Sequence, residues 1–420
     1  MALSSDSPAG LEIKNYHYDL PTDRIALFPA AVRDESALLV YRKNSEPFRE
    51  TFRNVASLLP ADSLLLLNDT RVIHARLLFK KPGGATIEIF CLNPLAPERE
   101  YARAFAQASP VVWECLTGNA RRWKAGPLQF PFPSDGGVHM LTATRALPGS
   151  FDAPLPQAPN HAIRFSWEAD LTFGEVLDKA GIIPLPPYIH RDNVASDNDR
   201  YQTRYARTDG SVAAPTAGLH FTPEVFNSLD NKGIPRVSLT LHVGAGTFRP
   251  VSSRHVGDHH MHAESFEVSL ASLKQMAAFG EKTFVAVGTT TVRTLESLFW
   301  GAVKLARGSI SEHKFTIGQW DPYTGHGDPP FTRTQALEFL VERMEKKGMA
   351  RIGGQTSLLI APPYHYRMTD AMITNFHQPG STLLLLVAAF LGDDWRRVYD
   401  FALKENFRFL SYGDTCLFMP

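Results

Sequence analysis

Ile73-His-Ala-Arg-Leu-Leu-Phe-Lys-Lys-Pro-Gly-Gly-Ala-Thr-Ile-Glu-Ile-Phe-Cys91 reads as a strand, a tight turn and a second strand. The same texture continues to about Trp167. Short β-prone pieces at Val111–Leu116, Gly126–Phe130, Val138–Ala143 and Ala162–Phe165 are separated by Gly- and Pro-bearing turns. Even spacing of short strands predicts a small antiparallel barrel or sandwich. Outside this stretch the pattern changes. Ala37–Tyr41 and Ser63–Leu67 are apolar runs of strand length. A short helix is expected at Tyr18–Leu27. After Leu171, helices at Phe173–Ala180, Pro223–Lys232, Ala271–Lys282 and from Val292 alternate with strands at Pro235–Val243 and Phe284–Val287. Such alternation argues an α/β layer. The predicted fold is an α/β body with an inserted small antiparallel β-barrel domain. The body takes residues 1–71 and 169–420, and the barrel takes 72–168.

With 420 residues the chain is too long for one ordinary core. Its composition, 44% hydrophobic and 20% charged, is that of a globular protein rather than a disordered one. Lys+Arg and Asp+Glu both total 43, so no global basic excess announces a nucleic-acid partner, although a local patch can hide in a neutral total. Cys91, Cys115 and Cys416 are scattered without metal-ligand spacing. The N-terminus lacks a basic-then-apolar signal pattern. The apolar run Leu383–Leu391 is too short to span a bilayer. A cytoplasmic protein without membrane contact is expected, with a monomer favoured.

Two glycine-rich, histidine-bearing segments follow one another: Ser211-Val-Ala-Ala-Pro-Thr-Ala-Gly-Leu-His-Phe-Thr222 and Leu241-His-Val-Gly-Ala-Gly-Thr-Phe-Arg-Pro250. Small residues let backbone approach a ligand, and imidazole moves protons near neutral pH. His242 and His220 are therefore candidates for proton handling, the bland alternative being satisfied histidines at tight turns. Gly288-Thr-Thr290 ends the strand at Phe284–Val287 and opens a helix, a place where open N–H groups and hydroxyls can meet a polar ligand. A helix capped by threonine is the plainer reading, and Arg293 can pair with Glu296 one turn on. Asp258-His-His-Met-His-Ala-Glu264 is dense in potential ligands, but its spacing matches no metal signature. A binding-site edge with Glu264 as polar anchor is expected instead. Asn375 and His377 precede a helix capped by Ser381 or Thr382. Arg408–Asp414 and Leu185–Arg191 interleave aromatics with arginine, as RNA-stacking surfaces do.

These segments together resemble the S-adenosylmethionine:tRNA ribosyltransferase-isomerase family of queuosine synthesis. The resemblance runs through Tyr18–Pro21, Asn68–Ile73, Leu185–Ile189, Tyr201–Thr203, Ser211–Thr222, Leu241–Val251, His259–Glu264, Gly288–Ser297, Thr374–His377, Ser381–Leu383 and Arg408–Asp414. It implies an enzyme that moves and isomerises the ribosyl group of S-adenosylmethionine onto 7-aminomethyl-7-deazaguanine in tRNA. Epoxyqueuosine, adenine and methionine are the implied products, S-adenosylmethionine is a co-substrate, and no metal is implied. Under that reading His242, His220, His377, Asp414 and Glu264 are the candidate catalytic residues. Thr216, Gly218, Gly244, Gly246, Thr247, Gly288, Thr289, Thr290, Arg293 and Asn375 would hold the donor, with Arg293 on a carboxylate. Lys80, Lys81, Arg121, Arg122, Lys124 and Arg191 would meet RNA. The chain departs from the family pattern at Asn119–Gly126, where arginines stand for a lysine pair. It also carries extra residues around 92–110, 145–160 and 318–335. Two further readings are a related ribosyl transferase with another acceptor and a non-catalytic RNA- or nucleotide-binding relative.

Overall fold

The computed structural model describes residues 7–134, 137–147, 149–152, 154–156, 158–244, 251, 253–324 and 331–419, except for the side chain of residue 102. Its body is built on a ten-stranded sheet. Four strands at the centre run parallel in the order Arg236–Leu241, Ser63–Asn68, Thr283–Val287 and Ala371–Asn375. Thr415–Met419 lies antiparallel to the last of these and parallel to Ala37–Arg42. The run Ser63-Leu-Leu-Leu-Leu67 shows why such strands read as continuously apolar. Leu64 and Leu66 pack into a core with Leu295 and Leu298 on one face. Leu65 and Leu67 pack with Phe221, Val225 and Leu229 on the other. A strand covered on both faces needs no polar alternation.

The barrel is a six-stranded antiparallel sheet. Its strands run in the order Arg76–Lys80, Thr86–Ala96, Val111–Gly118, Asn160–Ser166, Gly137–Arg145 and Leu128–Ser134. The first and last strands are not hydrogen-bonded neighbours, yet Phe79 and Phe130 meet edge-on at 6.2 Å across the seam. The sheet is therefore nearly closed around its own core, in which Trp113, Phe132 and Phe165 are buried. This is the α/β body with a small antiparallel barrel that the strand spacing predicts. A parallel pair, Thr70–Val72 with Thr208–Ser211, lies where the chain passes between the two.

Local signals hold well at caps. Thr172 caps helix Phe173–Ala180 in a reciprocal box with Glu175, and Ser381 caps helix Thr382–Leu391. The short helix expected at Tyr18–Leu27 reduces to a single turn, Thr22–Arg24, because that segment's backbone is held by tertiary partners: the Ala26 N–H donates to the Phe409 carbonyl. The helix that follows Val287 spans Thr289–Ala306, and its cap is Gly288 at φ 88° rather than a threonine. The hydroxyls of Thr289 and Thr290 are thus not consumed in capping the helix. Among the described residues, no helix is long and apolar enough to cross a membrane.

Candidate active site

The carboxyl ends of the four central parallel strands converge, which is where ligands bind in open α/β sheets. Asn68 staples them. Its side-chain amide donates to the Leu241 carbonyl at 3.0 Å and to Thr290 Oγ1 at 3.2 Å. Its side-chain oxygen accepts from the Leu241 N–H at 3.0 Å. Beside this staple opens a cleft of about 770 Å³. One wall is the small-residue run Ala213–Ala217, a second is Gly288–Thr290, and a third is Thr374–Gln378. Thr216 donates to Asn375 Oδ1 at 2.7 Å across the cleft, and the Asn375 amide donates to the Asp414 carbonyl at 3.3 Å. Tyr188, whose hydroxyl lies 2.5 Å from Ser411 Oγ, lines the same space with Phe376. Among the described residues the cleft lining is hydroxyl, amide, aromatic and small, with His377 its one imidazole. Thr374 Oγ1 lies 3.0 Å from His377 Nε2, and burial pushes that imidazole down to about 3, so it is neutral at physiological pH.

Two more cavities lie near this cleft. The second, bounded by His259, His260, His262, Arg293 and Leu358–Ile360, shares Leu383 with the cleft. The third lies between body and barrel and shares His262 with the second. His242 belongs to this third cavity, whereas its neighbour Val243 faces the cleft. Thr70 Oγ1 lies 3.0 Å from His242 Nδ1, and the ring stacks at a tilt on Tyr101 with centroids 5.3 Å apart. Gly210, at φ 146°, lies directly against the ring: a Cβ there would approach it to 2.6 Å. Burial lowers His242 to about 4, against a weak opposing pull from Glu100.

The structure brings Thr216, Gly288, Thr289, Thr290, Asn375 and His377 together in the cleft. Other expected residues are placed elsewhere. His220 lines a separate small cavity that also reaches Ser411, with Ser36 Oγ 2.6 Å from Nδ1 and Phe52 against the ring, and burial holds it at about 3. Gly218 serves packing rather than ligand approach, since a Cβ there would lie 2.0 Å from the Tyr205 hydroxyl. Gly218→Ala is therefore expected to destabilise by about 1–3 kcal/mol, seen as a lower urea midpoint; an unchanged midpoint would refute that packing role. Asp414 is turned inward, accepting from the Ala37 N–H at 3.1 Å and the Arg408 N–H at 2.8 Å. It ties the C-terminal turn to the neighbouring strand instead of facing ligand. Arg293 does meet a carboxylate, but that of Glu264. Glu296 is engaged by Tyr364, Thr369 and the N–H groups of Arg367 and Met368. Glu264 is thereby an anchor: it also accepts from the Gly244 N–H at 3.2 Å and lies 3.4 Å from His262. Gly244 borders the third cavity, while Gly246 and Thr247 lie outside the described residues. Tyr101 and Gly210 carry no local signature of a site residue, whereas Asn68 carries one, a polar side chain closing an apolar strand.

Of the basic residues, Lys80, Lys81, Arg121, Arg122 and Lys124 gather at one end of the barrel, where the Lys81 ammonium donates to the Arg122 carbonyl at 3.0 Å. Arg191 is not among them. It grips Asp197 through both guanidinium nitrogens and lies 4.2 Å over the Phe28 ring. The basic end is remote from the third cavity. From Thr86 at that end to Leu92 at the cavity is six strand residues, about 20 Å.

A family model described as queuosine biosynthesis protein matches residues 13–324 and 330–418. A relative from Syntrophomonas wolfei, named S-adenosylmethionine:tRNA ribosyltransferase-isomerase, is 36% identical over 409 residues, 96% of each chain. One of the same name from Deinococcus radiodurans is 37% identical over 98% of this chain and 96% of its own. A crystal structure of S-adenosylmethionine tRNA ribosyltransferase from Thermotoga maritima aligns at 27% identity over 96% of this chain and 99% of that one, with a TM-score of 0.45. A family model matched along nearly the whole chain, and relatives this similar over nearly their full lengths, make the protein a member of the queuosine biosynthesis protein family.

Proposed function

We propose that this protein is an S-adenosylmethionine:tRNA ribosyltransferase-isomerase, acting on 7-aminomethyl-7-deazaguanine in tRNA and yielding epoxyqueuosine with release of adenine and methionine. The observation that carries the reading is the cleft at the strand ends, with a further cavity between it and the cavity against the barrel that is lined in part by residues of each. A donor and a bulky acceptor need adjoining chambers of this kind. The cleft suits the donor. Its hydroxyl and amide groups match a nucleoside, its small residues allow close approach, and its aromatic rings are compatible with a sulfonium cation.

The chemistry requires a base for the proton beside the sulfonium, hydrogen bonding to the departing adenine, and a neutral incoming amine. A neutral His377 in the cleft and a neutral His242 beside the acceptor chamber can each accept a proton. Glu264 holds the backbone between the chambers at Gly244. The basic end of the barrel would take RNA phosphates at a distance from the reacting base. On that reading, replacing both Arg121 and Arg122 by Ala lowers the salt slope of tRNA binding, log K against log salt, by about 1.5. A slope equal to that of the unaltered protein would remove the patch from the RNA interface. The function itself is tested by incubating the protein with S-adenosylmethionine and tRNA bearing the aminomethyl precursor, then weighing the nucleoside by mass spectrometry. The epoxide product supports the reading; an unmodified precursor with intact cofactor binding sinks it in favour of a different acceptor.

A further inference from the structure

The third cavity has a built polar wall on its barrel side. Asn93, Glu114 and Asn160 stand on three successive antiparallel strands. The Asn93 amide donates to one oxygen of Glu114 and the Asn160 amide to the other, each at 2.7 Å. Asn93 is itself oriented, because its oxygen accepts from the Tyr101 hydroxyl at 2.8 Å. The Glu114 carboxylate is thus fixed in place with one amide on each oxygen. A carboxylate offers about four acceptor positions, so each oxygen retains capacity for one more donor. The tilted Tyr101–His242 ring pair lines the same cavity, and Glu264 adds a second carboxylate among the lining residues. The network sits where the ladder of the first two strands changes register, between Cys91 and Asn93, and so also braces the strands there.

A held carboxylate beside aromatic rings selects flat ligands with two adjacent N–H donors. Among nucleobase edges, only that of guanine presents a ring N–H next to an exocyclic amino group. Adenine and cytosine present one amino group beside an acceptor nitrogen, and uracil a single N–H between carbonyls. The Glu114 carboxylate also attracts an amine-bearing base, which is a cation in water. We infer that this cavity receives the acceptor base, and that Glu114 determines its specificity by accepting hydrogen bonds from the N1–H and 2-amino group of a guanine-type ring. Asn93 and Asn160 are positioning residues that act through Glu114. The inference rests on the proposed transferase reading and names the part of the protein that tells one base from another.

The test uses the full chain, S-adenosylmethionine and two anticodon stem-loops. One carries the aminomethyl deazaguanine. The other carries the same base without its 2-amino group. The unaltered protein is expected to prefer the first by about 100-fold or more in kcat/KM, because a site built to bond a polar group rejects the ligand lacking it. Glu114→Gln, which is nearly isosteric, should reduce that preference to within about 3-fold, mainly by raising KM for the first stem-loop. Its affinity for S-adenosylmethionine, read by calorimetry, should stay within about 2-fold. Asn160→Ala should give the same change more weakly, and serves as the second variant if Glu114→Gln folds poorly. A preference kept at full strength by both variants overturns the inference while leaving the transferase reading standing. No turnover of either stem-loop by the unaltered protein overturns the transferase reading, and this assignment with it.

Discussion

Replacing Glu264 by Ala is expected to remove about 3–5 kcal/mol of stability, since a buried ion pair that loses one member leaves the other charged and desolvated. Glu264 and Arg293 are both almost fully buried and in direct contact. Among the described residues Arg293 then keeps hydrogen bonds to the carbonyls of Leu358 at 3.3 Å and Thr356 at 3.4 Å, and neither neutralises a guanidinium. The Gly244 N–H loses its carboxylate acceptor in the same step. The informative comparison is the double variant Glu264→Met with Arg293→Met. Removing both charges should recover most of the lost stability, because an apolar pair of similar volume avoids the desolvation cost. It should not recover adenine release, because the backbone between the two chambers stays untethered. Chemical denaturation of the three proteins decides this. A Glu264→Ala variant within about 1 kcal/mol of the parent would show that the pair is not desolvated as its burial implies.

The second large effect concerns His242. His242→Ala should slow adenine release by about 10²–10⁴, the span typical of a lost general base, while S-adenosylmethionine binding is retained because the donor cleft lies on the other side of Val243. The pH profile carries independent information. Burial lowers this imidazole to about 4, so the unprotonated base persists well below the free-imidazole value near 6.5. The acid limb due to His242 is therefore expected near pH 4 in kcat/KM, and activity between pH 5.5 and 7 should be flat with respect to this group. The sign for stability follows from the same shift. Unfolded chains bind the proton first, so the histidine works against the native state as pH falls from 6.5 toward 4, and has no such effect above 6.5. Near-normal turnover by His242→Ala, or an acid limb at 6.5 that vanishes in the variant, would remove His242 from the base role or deny its burial.

Much of this site was legible in the chain, and the parts that were not share a cause. The strand-end segments Gly288–Thr290 and Thr374–His377, and the small-residue run around Thr216, converge as expected. Strand ends and glycine or alanine runs have local signatures. His220, Gly218 and Asp414 carry similar signatures but lie outside the cleft lining. Each is occupied by a partner remote in sequence, Ser36, Tyr205 and Ala37 respectively, and no local pattern announces that. Arg293 was expected on a donor carboxylate or on Glu296, and its partner is the protein's own Glu264.

By itself the sequence determined the presence of a small antiparallel barrel, the apolar central strands, the Ser381 helix cap and the family. All of these rest on period, turn chemistry and the order of short motifs, which are written locally. Only the tertiary structure decided which histidine faces which chamber. His242 and Val243 are adjacent in the chain, yet their side chains leave the strand end on opposite sides. What they meet there, Tyr101 from the barrel on one side and the donor cleft on the other, is set by packing between distant segments. The same packing removes water from these imidazoles and lowers their proton affinity, a property that belongs to the folded surroundings and not to the residue.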